Sequence, residues 1–77
     1  MNVGMLWHDD DKRSSFEEKI IRAADYYLHK FGKAPNTCHV NMGVLEEELD
    51  IGSIHVSPAR NVLPHHFWIG VEQANGS

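Results

Sequence analysis

The chain has 77 residues and a formal net charge of −4 at pH 7, with 7 Lys and Arg against 11 Asp and Glu. Nucleic-acid affinity comes chiefly from cationic side chains that displace phosphate counterions, so this balance argues against a nucleic-acid partner. The 42% hydrophobic content is typical of a globular domain, and a chain of this length has room for one core. We therefore expect residues 1–77 to form a single small domain.

The cysteine content and the apolar runs indicate the compartment. A single cysteine, Cys38, cannot form a disulfide within the chain, and Met5-Leu6-Trp7 is too short for the apolar region of a signal peptide. No apolar run approaches the roughly 20 residues that cross a bilayer, so no membrane partner is expected. These features favour the cytoplasm.

The N-terminal third predicts a short strand and a long helix. Residues 2–7 alternate loosely between apolar and other side chains, as in an edge strand. Ser14 stands three residues before Glu17 and Ser15 three before Glu18, so two overlapping capping boxes predict a helix start. The apolar residues that follow at helical spacing span about 160° of one helix face: Phe16, Ile20, Ile21, Ala23, Ala24, Tyr27, Leu28 and Phe31.

The remaining elements complete an α+β prediction. Gly32 ends the helix, and alternation predicts strands at 37–42, 53–57 and 66–72, the second ending at Pro58 because proline has no N–H to donate. A short second helix is predicted at about 44–50, because Val44, Leu45 and Leu49 would share one face of it.

We therefore expect two layers. One long amphipathic helix, at about 15–31, packs on a small, mostly antiparallel sheet of three to four strands. The connection from Met42 to Ser53 is short for a parallel crossover, which favours antiparallel pairing. Residues 73–77 are predicted to be a disordered tail.

Strand periodicity also places three of the six histidines on the side of the sheet away from the core. His39, His55 and His66 fall there, together with Trp68, and we call these four residues the histidine face. Three interpretations stay open: a solvated sheet face, a protein interface that is most simply a homodimer contact, and a metal or small-ligand site. Protonation of all six histidines would change the net charge from −4 to about +2, so the sign is sensitive to mild acid.

A metal site would need these imidazoles to converge. His39, His55 and His66 offer three ligands for zinc or another transition metal, but no histidine pair four residues apart and no C-x-x-C motif supports it. A second candidate combines His8, Asp9–Asp11 and His65 on composition alone. An acidic run before a helix start is more often a favourable charge near the helix N-terminus.

Catalysis is not expected. Strand phase puts Cys38 in the core and the adjacent His39 on the opposite face, so the two cannot form a nucleophile and base pair. The serines lack a G-x-S-x-G elbow and the glycines form no phosphate loop. On the helix, Tyr27 lies inside the apolar arc and Tyr26 outside it, where Tyr26 can cover the sheet edge or contact a partner.

The sequence thus favours a small non-catalytic accessory or protein-interaction module. Because domains of this size often gain stability from a partner subunit, we expect self-association, with a homodimer as the simplest form and an unidentified protein as another possible partner. The expected contact residues are Trp68, His39, His55, His66 and Tyr26. The alternative is a transition-metal or small-ligand binding protein in which His39, His55 and His66 are the ligands. If the protein is an interaction module, no cofactor is expected.

Overall fold

A computed structural model describes residues 3–72 as one helix and five strands. The elements in chain order are β1 (Val3–His8), α1 (Phe16–Phe31), β2 (Thr37–Asn41), β3 (Leu49–Ile51), β4 (Ile54–Ala59) and β5 (His66–Val71). The strands form one sheet in the order β1-β5-β2-β4-β3. The predicted α+β class, the long helix and the edge position of the first strand are confirmed.

The capping signals in the sequence set both ends of α1. Ser15 is the N-cap: its hydroxyl accepts from the Glu18 N–H, and the Glu18 carboxylate accepts from the Ser15 N–H. Of the two overlapping boxes, only this one forms, because the Ser14 hydroxyl instead accepts from the Arg22 guanidinium at 3.0 Å. Gly32 ends the helix in the left-handed conformation, at φ 76°, which glycine adopts without strain.

The sheet is mixed, which corrects the predicted three to four antiparallel strands. β1 pairs with β5, β5 with β2, and β3 with β4 in antiparallel fashion, whereas β2 and β4 are parallel. The connection after Met42 is short for a helical crossover, but β3 occupies part of it. Since β3 runs antiparallel to β4 along the sheet edge, it reverses the chain and lets β4 enter beside β2 in the parallel direction.

The predicted second helix at about 44–50 is wrong. Val44 belongs to a turn, Glu46 and Glu47 form a bend, and Leu49–Ile51 forms β3. The apolar residues that share a helical face there also suit an edge strand, and pairing with β4 decides between the two. β4 continues through Pro58, the predicted end of that strand. Because β3 pairs with β4 only as far as Val56, Pro58 lacks a neighbour on that side and needs no N–H for it.

The core lies between α1 and one face of the sheet. Three helix residues, Ile20, Ala23 and Tyr27, are buried there. The sheet residues that complete the core cluster are Cys38, Val40, Ile51, Ile54, Val56, Phe67 and Ile69.

The buried face of α1 is narrower than the predicted arc. Ile21, Leu28 and Phe31 lie inside that arc but are each more than 40% exposed.

α1 is too short and too polar to cross a membrane, and residues 3–72 contain no other helix. The predicted tail, 73–77, lies outside the described residues.

Candidate functional site

The histidine face lies on the sheet surface opposite α1, as the strand phase predicts. Along β2 and β5, buried residues such as Cys38 and Phe67 alternate with half-buried ones, among them His39, His66 and Trp68. His55 follows the same alternation on β4 but is exposed. The strand register places His39 directly opposite Trp68.

His39 lies at the centre of this face and contacts three polar or aromatic groups. Its Nδ1 lies 3.0 Å from the Ser57 hydroxyl, and its Nε2 lies 3.8 Å from a Glu72 carboxylate oxygen. Its ring centroid lies 5.4 Å from that of Trp68. The Nε2–Glu72 distance is too long for a good hydrogen bond, so Ser57 is the principal polar partner of the imidazole.

His55 lies apart from the other histidines and binds two carboxylates. Its Nδ1 contacts Asp50 at 2.9 Å, and its Nε2 contacts Glu48. These hydrogen bonds raise the pKa of His55 above its ordinary value, and the one to Asp50 has the larger effect. Because the two nitrogens of an imidazole point in different directions, Asp50 and Glu48 cannot join His55 around one ion.

His66 is engaged at a third place. Its Nδ1 donates to the Pro64 carbonyl at 2.9 Å, and its ring lies 4.8 Å from that of His8, its neighbour on β1. The sheet thus distributes His39, His55 and His66 over separate sets of contacts. Within residues 3–72, no group of three or more His, Cys, Asp or Glu side chains is arranged to hold a metal ion.

Trp68 packs partly within its own chain. Its indole lies across Gly4 on β1, so closely that a Cβ at Gly4 would lie 2.3 Å from a ring carbon. A glycine at this position therefore lets the ring cover the edge strand.

A cleft of about 290 Å³ opens beside the indole. It is lined by Leu6, His39, Asn61, Val62 and Trp68. Val62 is buried because the connection between β4 and β5 folds over this face, where the Val62 carbonyl accepts from the Asn41 amide at 2.8 Å. The cleft combines apolar walls with one imidazole and one amide, which are features of small-ligand sites.

Tyr26 lies on the other side of the sheet, at its β1 edge. Its ring centroid lies 5.1 Å from that of Trp7, and about half of Tyr26 is exposed. The indole Nε1 of Trp7 is buried without a hydrogen-bond partner in the described part of the chain. The aromatic pair therefore forms the border of the core next to the outer edge of β1, which no strand within residues 3–72 pairs with.

Cys38 is a core residue, as predicted. It is fully buried, and burial raises the pKa of its thiol to about 12. Since the thiolate is the nucleophilic form, this side chain is unreactive at neutral pH.

The second candidate cluster is only partly brought together. The Asp9 N–H donates to the His65 carbonyl at 2.9 Å, whereas Asp11 contacts Arg13, whose backbone N–H lowers the pKa of the Asp11 carboxyl. Residues 3–72 hold no metal-ligand group here either. Sequence reasoning did not single out Lys19, which lines a cavity beside His65, because an isolated lysine on a helix carries no pattern.

Sequence reasoning also passed over Leu6, which lies on the edge strand with 64% of its surface exposed.

Comparison of the chain with protein-family models, with curated proteins and with solved structures found no match.

Proposed function

We propose that the protein is a non-catalytic interaction module that forms a homodimer by pairing the outer edge of β1 with that of a second copy. The two five-stranded sheets then join into one continuous sheet. The observation that carries this proposal is the difference between the two edges of the sheet.

The β3 edge has the features that prevent pairing, whereas the β1 edge lacks them. β3 has three residues, includes an exposed aspartate, Asp50, and follows the exposed run Glu46-Glu47-Glu48. β1 has six residues and contains no proline, lysine or acidic side chain. Short length, charge and proline are the means by which proteins protect sheet edges from other chains. An unprotected edge of this length is suited to adding a strand.

The backbone hydrogen bonds indicate which residues of β1 would meet the second copy. Directly after β1, the Asp9 N–H donates to the carbonyl of His65, which directly precedes β5. Residues that bond to one neighbour alternate along an antiparallel ladder. Met5 and Trp7 therefore bond to β5, while Leu6 directs its N–H and C=O to the free edge. Pairing of β1 with itself places Leu6 opposite Leu6 of the second copy.

This register keeps the two cores on the same side of the joined sheet. Directly opposed residues of an antiparallel pair point to the same face, so the two histidine faces lie side by side and both α1 helices lie on the other surface. Trp7 then lies opposite Met5 of the second copy, next to Tyr26. The exposed Leu6 side chains meet across the two-fold axis and become shielded from water.

A proline at position 6 tests the proposal because it removes one outward N–H and no bond to β5. We expect the unmodified protein to sediment as a dimer at tens of micromolar and Leu6→Pro to sediment as a monomer with unchanged helical circular dichroism. Leu6→Val is the matched control: it keeps the N–H, the apolar character and the strand preference, and should remain dimeric.

Either of two results would contradict the proposal. One is a monomeric unmodified protein at about 100 μM, where a dimer of micromolar affinity would be almost complete. The other is a folded Leu6→Pro variant that remains a dimer. The same measurement with added zinc and then with EDTA separates strand pairing, which is insensitive to chelator, from an assembly bridged by metal.

A small-ligand role of the histidine face is the second candidate function, and the cleft beside Trp68 favours it. His39, Asn61 and the indole border this cleft, and ligand sites commonly combine such polar groups with apolar walls. A transition-metal site formed by His39, His55 and His66 would require these side chains to leave their present contacts.

We propose the cytoplasm as the location, since the one cysteine is buried as a free thiol.

A further inference from the structure

A cavity of about 230 Å³ lies between the first turns of α1 and the turn that leads into β5. We call it the α1–β5 cavity. It is lined by Asp9, Phe16, Lys19, Val44, His65, His66 and Phe67. None of these residues belongs to β1, so a ligand in the α1–β5 cavity would not depend on the proposed strand pairing.

The walls of the α1–β5 cavity include three apolar side chains, of which Phe67 is almost fully buried. The rings of Phe16 and Phe67 lie with their centroids 6.0 Å apart, one on the helix and one on the sheet. Val44, on the connection between β2 and β3, lines the same space and is 56% exposed. These surfaces would gain free energy by contact with an apolar group.

The polar part of the lining carries an unmatched positive charge. Lys19 is half-buried, and no acidic side chain among residues 3–72 forms an ion pair with it. Asp9, the one acid in the lining, is already bonded to Arg22 at 3.3 Å and to the Asp11 N–H at 3.0 Å. Since partial burial of a charge costs free energy unless the charge is paired, the Lys19 ammonium favours an anionic ligand.

His65 lines the same cavity from a strained backbone conformation. Its φ of 65° lies in the left-handed region, and His65 is the one residue other than glycine in the described chain that adopts it. Glycine would avoid this strain, yet the position carries an imidazole that borders the cavity. Strained residues of this kind are concentrated at binding sites.

We propose that the α1–β5 cavity binds a small amphipathic carboxylate, with one negative charge on a single apolar ring or short chain. The carboxylate accepts hydrogen bonds from the Lys19 ammonium and the His65 imidazole, and the apolar part contacts Phe16 and Phe67. A second negative charge on the ligand would meet Asp9. The volume is below the roughly 300–1,000 Å³ of sites for drug-sized ligands, so one ring fills it.

A titration with benzoate, followed by NMR of the backbone amides, tests the proposal. We expect shifts centred on the α1–β5 cavity and a dissociation constant on the order of 1 mM for a ligand this small. Benzamide, which has the same shape without the charge, should bind roughly tenfold more weakly, because hydrogen bonds to a charged group are stronger. Inorganic phosphate, which lacks an apolar part, should bind more weakly than benzoate.

Two variants and a control assign the contacts. Lys19→Met removes the charge and retains the length of the side chain, and His65→Gly removes the imidazole at a position where glycine is unstrained. Each should weaken benzoate binding roughly tenfold without loss of the folded spectrum. Lys33→Met removes an exposed lysine beyond the other end of α1 and should leave the affinity unchanged.

The proposal is overturned by any of four results. These are equal binding of benzamide and benzoate, wild-type affinity in either Lys19→Met or His65→Gly, shifts confined to another part of the protein, and no binding at about 20 mM benzoate.

Discussion

His55 connects three parts of the chain through one exposed side chain. It lies on β4, and its two ring nitrogens contact Asp50 on β3 and Glu48 on the preceding connection. The hydrogen bonds to these carboxylates raise the pKa of His55, so protonation of the ring and formation of the folded state favour each other. The stabilisation is fully present below the unfolded-state pKa, near 6.5, and is lost as the pH rises through the higher folded-state value.

Substitution of His55 by glutamine should therefore destabilise the protein more at pH 6 than at pH 8.5. The measurement is the difference in urea unfolding free energy between the unmodified protein and His55→Gln at the two pH values. Asp50→Asn is the control: Asp50 has the largest effect on the pKa of His55, so its loss should reduce the pH dependence of that difference. A difference that is equal at both pH values would show that the carboxylates do not raise the pKa of His55 in the folded state.

Residue positions that depend on a local repeat could be predicted from the sequence. The two-residue strand period correctly placed His39 and Trp68 on one face and Cys38 on the other. Contacts between distant segments carry no such repeat. The pairing of His55 with Glu48 requires β3, and the contact of Trp68 with Gly4 requires the neighbouring positions of β1 and β5. Strained φ at His65 has no sequence signal, since the preferred residue for that conformation is glycine.

At the scale of elements, the start of α1 is set by one serine out of two candidates. Ser15 forms the reciprocal capping box with Glu18, and the Ser15 N–H lowers the pKa of the Glu18 carboxyl. Ser14 instead contacts Asp11, which precedes the helix, and Arg22, which lies within α1. Both serines precede a glutamate by three residues, so the spacing alone could not distinguish them.

Removal of the two hydroxyls should have unequal effects. Ser15→Ala leaves a helix N–H without its partner and should reduce the unfolding free energy by about 1 kcal/mol. Ser14→Ala removes a contact to an exposed arginine and should cost less than about 0.5 kcal/mol. Chemical denaturation of both variants measures the two values. A larger loss for Ser14→Ala than for Ser15→Ala would show that Ser14, and not Ser15, is the N-cap.

The predicted second helix failed because an element on a sheet edge depends on its neighbour. Periodicity describes one segment at a time, and the segment around Leu49 satisfies a helical pattern and a short strand equally well. Pairing of Leu49–Ile51 with Ile54–Val56 supplies hydrogen bonds that no property of the segment itself reveals. The same pairing makes the parallel arrangement of β2 and β4 possible, so one missed strand accounts for both errors in the sheet.

At the scale of the whole molecule, one core between α1 and the sheet holds the described chain together. Ile20 is fully buried in it, whereas the adjacent Ile21 is 54% exposed. Sequence periodicity correctly located the apolar side of the helix but overestimated the width of its buried face, because α1 packs chiefly against β5. Two isoleucines next to each other therefore occupy different environments.

These neighbours provide a matched test of how α1 packs. Ile20→Ala should reduce the unfolding free energy by about 2–5 kcal/mol, the range for large-to-small changes in a core. Ile21→Ala, with the same chemistry and a higher helix propensity, should change it by less than about 1 kcal/mol. Urea denaturation of both variants gives the comparison. Equal losses would mean that the helix is rotated about its axis relative to the sheet described above.

The position of β5 between β1 and β2 has a consequence for synthesis of the chain. β5 is the last of the strands in the described residues, yet both β1 and β2 pair with it, and α1 packs mainly on it. Until residues 66–71 leave the ribosome, β1 and β2 lack their common neighbour and the helix lacks most of its support. A nascent chain with unpaired strands and an uncovered apolar helix face is a substrate for chaperones, and a stall before position 66 would expose it to aggregation.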